Sequence, residues 1–91
     1  MRTVHLVLKG KWYDMISCGE KKEEYRKVCD YWRNRLQKDR DTMEVVCFHR
    51  GYTKTTMSFK IKSITIGCGR DEWGAVRGER YFVIQLGEKI N

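Results

Sequence analysis

The chain consists largely of short segments in which apolar and polar residues alternate, and this pattern restricts the fold more than any other feature of the sequence. Successive side chains of a β-strand point to opposite faces, so an alternation with period two predicts a strand with one buried face. Extended segments are predicted at residues 3–8, 21–28, 44–49, 57–66 and 80–86. The segment at 44–49 contains a continuous apolar run at 45–48, which favours a strand buried on both faces or nearly so.

One predicted strand changes phase in its middle. Phe59 and Ile61 alternate with polar neighbours, whereas the next apolar residue, Ile64, is out of phase by one position. A β-bulge near Lys62 and Ser63 would restore the inward direction and curve the strand, as a closing barrel requires. The pattern therefore predicts an α+β fold that is mainly β, with a small barrel of about five strands.

Two short helices are predicted beside the strands. Trp12 and Ile16 recur at helical spacing, and Gly19 supplies the left-handed residue that commonly ends a helix. Asp30 is the predicted N-cap of a second helix. The helical periodicity assigns Trp12 and Trp32 to the core.

A motif of charged residues, Gly19-x-Lys21-x-x-Glu24-x-Arg26, lies where the first helix gives way to a strand. If residues 21–28 are extended, Glu24 and Arg26 share a face. A carboxylate and a guanidinium placed in this way orient each other and keep hydrogen bonds for a planar polar ligand, such as a nucleobase or an amide. The alternative is a solvated strand whose charges protect a sheet edge from aggregation.

This motif and its surroundings resemble the ASCH domain family, a branch of the PUA-like superfamily. The segments that look like the family's framework, in the family's order, are KWYDMI at 11–16, YW to Leu36 at 31–36, FHRGY at 48–52 and YFVIQLG at 81–87. The resemblance implies one PUA-like small β-barrel domain over residues 1–91, with two flanking helices and a cleft that binds RNA or nucleotides. It also implies a possible hydrolase activity, because a minor branch of the family hydrolyses the amide of N4-acylated cytidine.

Composition favours a polyanionic partner. Nineteen Lys and Arg residues against twelve Asp and Glu residues leave a net charge of +7 and a pI near 9.4, which attracts RNA, DNA, acidic membranes and heparin alike. No apolar run approaches the roughly 20 residues of a membrane span, and the first segment is interrupted too early to be a signal peptide. We therefore expect a cytoplasmic protein without membrane association. A monomer is favoured. The segment at 38–42 is predicted to be a charged surface loop.

Neither disulfides nor a metal site are predicted. The cysteines are Cys18, Cys29, Cys47 and Cys68. They are expected to be free thiols, because the chain shows no export signal and they follow no pairing rhythm. The sequence contains no C-x-x-C or H-x-x-x-H, and His5 and His49 are isolated from each other along the chain, so no metal or other cofactor is expected.

Candidate ligand-binding residues extend beyond the charged motif. They are Lys21, Glu24, Arg26, Arg50, Tyr52 and Trp73. Arg50 and Tyr52 flank Gly51, and a cation and an aromatic ring around a glycine suit stacking on a base together with a phosphate contact; the alternative is a hairpin turn with a buried tyrosine. Trp73, in a long loop at 67–78, either caps a cleft or plugs one end of the barrel.

These residues support two functions. The first is an RNA- or nucleotide-binding module whose cleft recognises a nucleobase or modified nucleoside. The alternative is an amidohydrolase of acylated nucleosides, with Lys21, Glu24 and Glu72 as catalytic residues. Lys21 would act as base, and Glu24 would activate water where the family's hydrolytic branch has threonine. Glu72 or Asp71 would be the acid, and Arg26 would orient the substrate or the charged pair. Structural roles stay open, because Lys21 can stabilise the helix end and Glu24 with Arg26 can form an ion pair that needs no ligand. A protein-interaction domain with a vestigial cleft is a third interpretation.

Overall fold

The structure is a computed structural model that describes residues 2–37 and 43–90, within which five strands form a mixed sheet curled into a half-barrel. The strands are β1 (Arg2–Leu8), β2 (Glu23–Lys27), β3 (Met43–Arg50), β4 (Thr56–Gly67) and β5 (Tyr81–Lys89). Their order in the sheet is β1-β3-β4-β5-β2, and β1 and β3 are parallel while the other neighbours are antiparallel. The predicted mainly β fold of about five strands with two short helices is therefore confirmed. The loop predicted at 38–42 lies outside the described residues.

The helices are short. Helix α1 spans Gly10–Ser17, and α2 spans Asp30–Trp32 and continues into a π-helical turn at Arg33–Gln37. The predicted N-cap of α2 is wrong by one residue: Cys29 occupies that position, and Asp30 begins the helix, where it accepts a hydrogen bond from Arg33. Within the described part of the chain, no helix has the length and apolar character needed to cross a membrane.

The core fills the inner face of the curled sheet. In β1 the predicted phase is confirmed, because Val4, Leu6 and Leu8 are buried while the intervening residues are exposed. The other members of the core cluster include Ile16, Val46, Phe48, Phe59, Ile64, Phe82 and Ile84. Strand β3 follows its prediction in part, since it is buried at consecutive positions near its start but half-buried at Cys47 and His49.

The predicted bulge in β4 is confirmed. The register of β4 against β5 shifts between Phe59 and Ile61 and again between Ile61 and Ser63. Beyond the bulge Ile64 returns to the core and pairs with Ile84. The same shift sets Ser63 opposite a polar residue of β5, and this pairing contributes to the candidate site.

The sheet ends in two edge strands, β1 and β2, which Arg26 connects. Its Nη2 donates a hydrogen bond to the main-chain carbonyl of Val7, at 3.1 Å. This bond runs from β2 to β1 and therefore joins the two edges of the half-barrel. A charged side chain that bridges both edges also keeps them from pairing with another sheet.

Candidate functional site

The charged motif forms a chain of ion pairs inside the protein. Lys21 Nζ lies 2.7 Å from Glu24 Oε1, and Arg26 Nη2 lies 2.8 Å from Glu24 Oε2. The Lys21 side chain is 0% exposed and that of Glu24 9%, while Arg26 is partly exposed and also lies against the ring of Trp32. The three side chains meet as the motif predicts, but as a buried triad rather than around an open hollow. We call Lys21, Glu24 and Arg26 the buried triad.

The end of helix α1 turns Lys21 inward. Gly19 has a positive φ of 86°, which ends the helix in the predicted left-handed conformation. The amide of Lys21 then bonds back to the carbonyl of Met15 at 3.0 Å. Its ammonium group donates to the carbonyl of Glu23 and to Glu24, so both donations go to β2 rather than to the helix end.

Burial gives Lys21 an unusual environment. Desolvation lowers the pKa of its ammonium group, and the charge of Glu24 opposes that change. The Nζ also lies 5.2 Å from the ring centre of Tyr25 and 5.9 Å from that of Trp12. The interpretation as a solvated edge strand is therefore wrong for Lys21 and Glu24, although β2 is an edge strand.

A cavity of about 250 Å³ opens beside the buried triad. Its lining residues are Lys22, Glu23, Lys62, Arg70, Trp73, Gln85 and Leu86. Glu23 and Glu24 follow each other along β2 and therefore point to opposite faces. One glutamate of the pair thus belongs to the buried triad, and the other faces the cavity. We call this space the Trp73 cavity.

A row of polar side chains crosses three adjacent strands at the wall of the Trp73 cavity. Ser63 of β4 lies opposite Gln85 of β5, which lies opposite Glu23 of β2. The Ser63 hydroxyl donates to Gln85 Oε1 at 3.0 Å, and Gln85 Nε2 donates to Glu23 Oε2 at 3.2 Å. The other oxygen, Glu23 Oε1, accepts from the Tyr25 hydroxyl at 2.7 Å. A carboxylate oxygen accepts two hydrogen bonds and an amide nitrogen donates two, so this row retains hydrogen-bonding capacity toward a ligand.

The loop between β4 and β5 brings Trp73 to the cavity. The amide of Arg70 donates to the Tyr25 hydroxyl at 3.0 Å, which anchors the loop on β2. A Cβ at Gly69 would lie 2.7 Å from the Tyr25 ring, so this close approach needs glycine. Burial raises the pKa of Tyr25, which keeps its hydroxyl protonated as a donor. The guanidinium of Arg70 lies 4.9 Å over the Trp73 ring.

The two helical tryptophans differ from their shared prediction. Trp32 packs against the core cluster, as predicted. Trp12 is half-buried and lies outside that cluster of described residues, between Lys21 and Gly74. Its assignment to the core is therefore wrong, because the helix face that carries it is covered by the loop rather than by the sheet.

A second cavity, of about 200 Å³, adjoins the first. It is lined by Ile16, Gly19, Lys21, Lys22, Phe59, Leu86 and Gly87, and it shares Lys22 and Leu86 with the Trp73 cavity. A main-chain hydrogen bond from Leu86 to Lys22, at 3.1 Å, links the two shared residues. Lys21 therefore borders the more apolar of two neighbouring hollows.

The remaining predicted site residues lie elsewhere. Arg50 donates two hydrogen bonds to the Asp14 carboxylate, at 3.1 and 3.0 Å. Tyr52 is 98% exposed in the turn after β3, so it is not the buried tyrosine of the alternative interpretation. Glu72 is exposed on a short 3₁₀ turn at Asp71–Trp73. Of the predicted partners of the motif, the described lining of the Trp73 cavity includes Trp73 itself but not Arg50, Tyr52 or Glu72.

Several lining residues were missed from the sequence. The clearest are Glu23, Arg70 and Gln85. Gln85 carried a usable signal, because it is the one polar residue in the otherwise apolar run at 82–86. Arg70 carried none, since it stands in a loop whose path depends on the packing of Tyr25.

The structure also places the cysteines and histidines about which predictions were made from the sequence. The four cysteines, all within the described residues, are free thiols as predicted, and Cys18 is exposed as well as Cys68. His5 and His49, far apart along the chain, are in contact, because His5 Nδ1 lies 3.0 Å from His49 Nε2. The assumption that the histidines are isolated is therefore wrong in the folded chain.

Comparisons with models of protein families, with curated proteins and with solved structures found no match to this chain. The chemistry of the site is accordingly inferred from its own side chains.

Proposed function

We propose that this chain is an RNA- or nucleotide-binding module, and that a nucleobase or modified nucleoside occupies the Trp73 cavity. The observation that carries the proposal is the hydrogen-bonded pair of Glu23 and Gln85 beside an indole ring. A carboxylate accepts hydrogen bonds from the amino group of cytosine, and exposed bases stack on aromatic rings and guanidinium planes. The wall and the ring together suit a flat ligand with donors on one edge.

The size of the cavity supports a base rather than a whole nucleotide inside it. Its volume of about 250 Å³ is slightly below the roughly 300 Å³ at which sites for drug-sized ligands begin. The sugar and phosphate of a bound nucleotide would then remain at the rim. Lys22, Lys62 and Arg70 are all exposed and line this cavity, which supplies positive charge where a phosphate would lie.

Electrostatic attraction to phosphates provides the part of the affinity that does not depend on the RNA sequence. The chain carries a net charge of +7, and contacts between cations and phosphates release counterions when RNA binds. Binding of RNA should therefore weaken steeply as salt is added, whereas recognition of a base depends less on salt.

This proposal agrees with the resemblance to the ASCH family, but it gives the motif residues different roles from those that the resemblance implies. Lys21, Glu24 and Arg26 are engaged with one another, and in this proposal they support the wall of the site. The contacts to the base come from Glu23 and Gln85. Recognition of the base is thus assigned to Glu23, which lies between the motif positions Lys21 and Glu24, and to Gln85 of β5.

Titration of the protein with the four ribonucleoside monophosphates and with a short single-stranded RNA, followed by amide chemical shifts, tests the proposal. We expect the shifts to concentrate around the Trp73 cavity. Trp73→Ala should remove about 1–3 kcal/mol of the binding free energy, which is the usual contribution of stacking on an aromatic ring. Tyr52→Ala is the matched control, because Tyr52 is fully exposed at a distant turn, and its affinity should be unchanged.

Salt dependence tests the rim separately. Lys62→Ala should weaken RNA binding and reduce the slope of affinity against salt by about one phosphate contact. Lys54→Ala, which alters another exposed lysine, in the turn after β3, should change neither. Absence of binding to RNA and to all four nucleotides at low salt would refute the proposal.

Amide hydrolysis of an N4-acylated cytidine is a second candidate, favoured by the buried ammonium of Lys21. Burial lowers its pKa, it contacts Glu24, and it borders the hollow next to the Trp73 cavity. Water activated at Glu24 would add to the acyl carbon, the proton taken from it would pass to the departing N4, and the amide bond would break to release a carboxylic acid and cytidine.

Incubation with N4-acetylcytidine and chromatography for cytidine tests this second candidate. Turnover that is lost in Lys21→Met, with nucleotide binding retained, would support it. Glu72→Gln examines the predicted acid, and a normal rate in that variant would remove the exposed Glu72 from the mechanism. No release of cytidine by the wild-type protein would leave the chain as a binding module.

A further inference from the structure

We propose that His5, Cys47 and His49 form a zinc site on the outer face of the sheet. The three residues come from two parallel neighbouring strands. His5 of β1 lies opposite Cys47 of β3, and His49 is two residues further along β3, so all three side chains share one face. The buried residues of both strands that form the core cluster occupy the opposite face, whereas Val45 is buried on the same face as Cys47.

The distances suit a single metal ion. His5 Nδ1 lies 3.0 Å from His49 Nε2, and Cys47 Sγ lies 3.8 Å from that same nitrogen. All three potential ligand atoms lie within 4.8 Å of one another. Zinc bonds of about 2.0–2.1 Å to nitrogen and about 2.3 Å to sulfur place tetrahedral ligand atoms roughly 3.3–3.6 Å apart. Small side-chain movements would therefore bring the three atoms onto one ion.

The ligand types select the metal. Imidazole suits zinc, copper, iron and nickel, whereas a thiolate favours zinc and cuprous copper, so the mixed set points to zinc or copper. Zinc accepts two nitrogens and one sulfur in its usual tetrahedral geometry and keeps the fourth position open. His5 is exposed, so the open position would face solvent and take water.

A hydrogen bond between the two imidazoles is the competing explanation of the contact. It accounts for the 3.0 Å separation of the nitrogens, but the single Nε2 of His49 would then have to serve both His5 and the Cys47 sulfur at 3.8 Å. A bound ion accounts for the convergence of all three atoms. It would also tie β1 to β3, the parallel pair of the sheet, across residues that stand 44 positions apart in the chain.

None of the three residues lines the Trp73 cavity or belongs to the buried triad. The zinc site is therefore independent of the proposed nucleotide binding. Failure of one proposal leaves the other intact.

Titration of the reduced, metal-free protein with Zn²⁺ against a competing chelator, and with Co²⁺ followed by absorbance, tests the site. We expect one ion per chain, together with the thiolate charge-transfer band and the intense visible bands of tetrahedral Co²⁺. Cys47→Ser should abolish the charge-transfer band and weaken binding at least about 100-fold, since even residues that only support ligands contribute about 10–100-fold. Cys68→Ser, which alters an exposed free thiol outside the cluster, should change nothing.

A second variant distinguishes loss of zinc binding from misfolding. His5→Gln replaces an exposed side chain, so the protein should fold normally and still lose most of its zinc affinity. Zinc should raise the melting temperature of the wild-type protein and not that of either ligand variant. The proposal is overturned if no stoichiometric binding occurs, if Cu⁺ binds but Zn²⁺ does not, or if the Co²⁺ thiolate band is lost in Cys68→Ser and kept in Cys47→Ser.

Discussion

The two faces of strand β2 each carry a glutamate, and the two carboxylates have different surroundings. On one face Glu24 joins Lys21 and Arg26 in the buried triad. On the other face Glu23 is held by Tyr25 and Gln85 beside an open cavity. The first carboxylate is bound by two cations, whereas the second is bound by neutral donors.

This difference separates a structural carboxylate from one suited to recognition. Lys21 and Arg26 both pair with Glu24, so loss of the Glu24 charge would leave the buried Lys21 ammonium uncompensated in an environment that solvates it poorly. Neutral donors orient Glu23 without neutralising it, so its charge stays available to the donors of a ligand. A charged sequence motif therefore need not be the part of a site that contacts the ligand.

The largest expected effect comes from breaking the buried triad. Glu24→Gln removes the charge that balances Lys21, and we expect the free energy of unfolding to fall by about 3–5 kcal/mol. Glu23→Gln is the matched substitution on the opposite face, and there the loss should stay below about 1.5 kcal/mol, as for an ordinary hydrogen bond. Urea denaturation of both variants measures the difference. Equal losses would contradict the distinction between the two faces.

The next effect concerns the link between the sheet edges. Arg26→Met removes the hydrogen bond to Val7 and the ion pair with Glu24, and we expect a loss of about 1.5–3 kcal/mol, the range for hydrogen bonds to charged groups. Hydrogen exchange should accelerate in β1 and β2 more than in β4. Arg33→Met is the control, because Arg33 pairs with an Asp30 side chain that is 97% exposed, and exposed pairs contribute about 0–1 kcal/mol. If the exchange increases were uniform over the sheet, Arg26 would not be the link between the edges.

Ligand selectivity tests the role of Glu23 at the Trp73 cavity. In Glu23→Gln the carboxylate that would accept hydrogen bonds from the base is lost, so affinity for cytidine monophosphate should fall by about 1–3 kcal/mol. Affinity for uridine monophosphate should change less, because uracil has a carbonyl where cytosine has the amino group. Calorimetric titration with both nucleotides checks this prediction. Equal changes for the two bases would show that Glu23 does not contact the base edge.

The smallest expected effect on stability comes from the exposed ion pair of Asp14 and Arg50. The hydrogen bond from Arg50 lowers the pKa of Asp14 below its ordinary value of 3.8. Because the folded-state pKa is the lower one, the pair stabilises the protein above pH 3.8, and this contribution is lost as the pH falls through the folded-state value. Asp14→Asn should therefore be slightly less stable than the wild type at neutral pH and equally stable in strong acid.

Thermal unfolding of both proteins over the acid range measures the effect. Arg50→Met should show the same loss of pH dependence, since it removes the other partner. A stability difference that persists unchanged in strong acid would exclude the ion pair as its cause.

Much of the fold could be predicted because it depends on local patterns. The alternation in β1, the bulge beside Ser63 and the left-handed Gly19 were all predicted and are confirmed. Each is decided within a few residues, by the period of two in a strand or by the conformational freedom of glycine.

The candidate site was predictable only in part, because its walls come from distant segments. The pairing of Glu24 with Arg26 followed from their spacing on one strand. The row from Ser63 through Gln85 to Glu23 depends on the registers of three strands, and Arg70 and Trp73 depend on how their loop docks against Tyr25. Arg50 was assigned to the site from its neighbours in sequence, but it pairs with Asp14 of α1 instead.

The sequence by itself determined which side chains share a face: Glu24 with Arg26, Glu23 with Tyr25, and Cys47 with His49. Only the tertiary structure decided which of these faces is covered, because burial depends on strands and loops that are distant in the chain. Closure of the half-barrel enclosed Glu24 with Lys21 and left Glu23 at a cavity. The parallel pairing of β1 with β3 likewise brought His5 to Cys47 and His49, a contact that no local spacing in the sequence indicates.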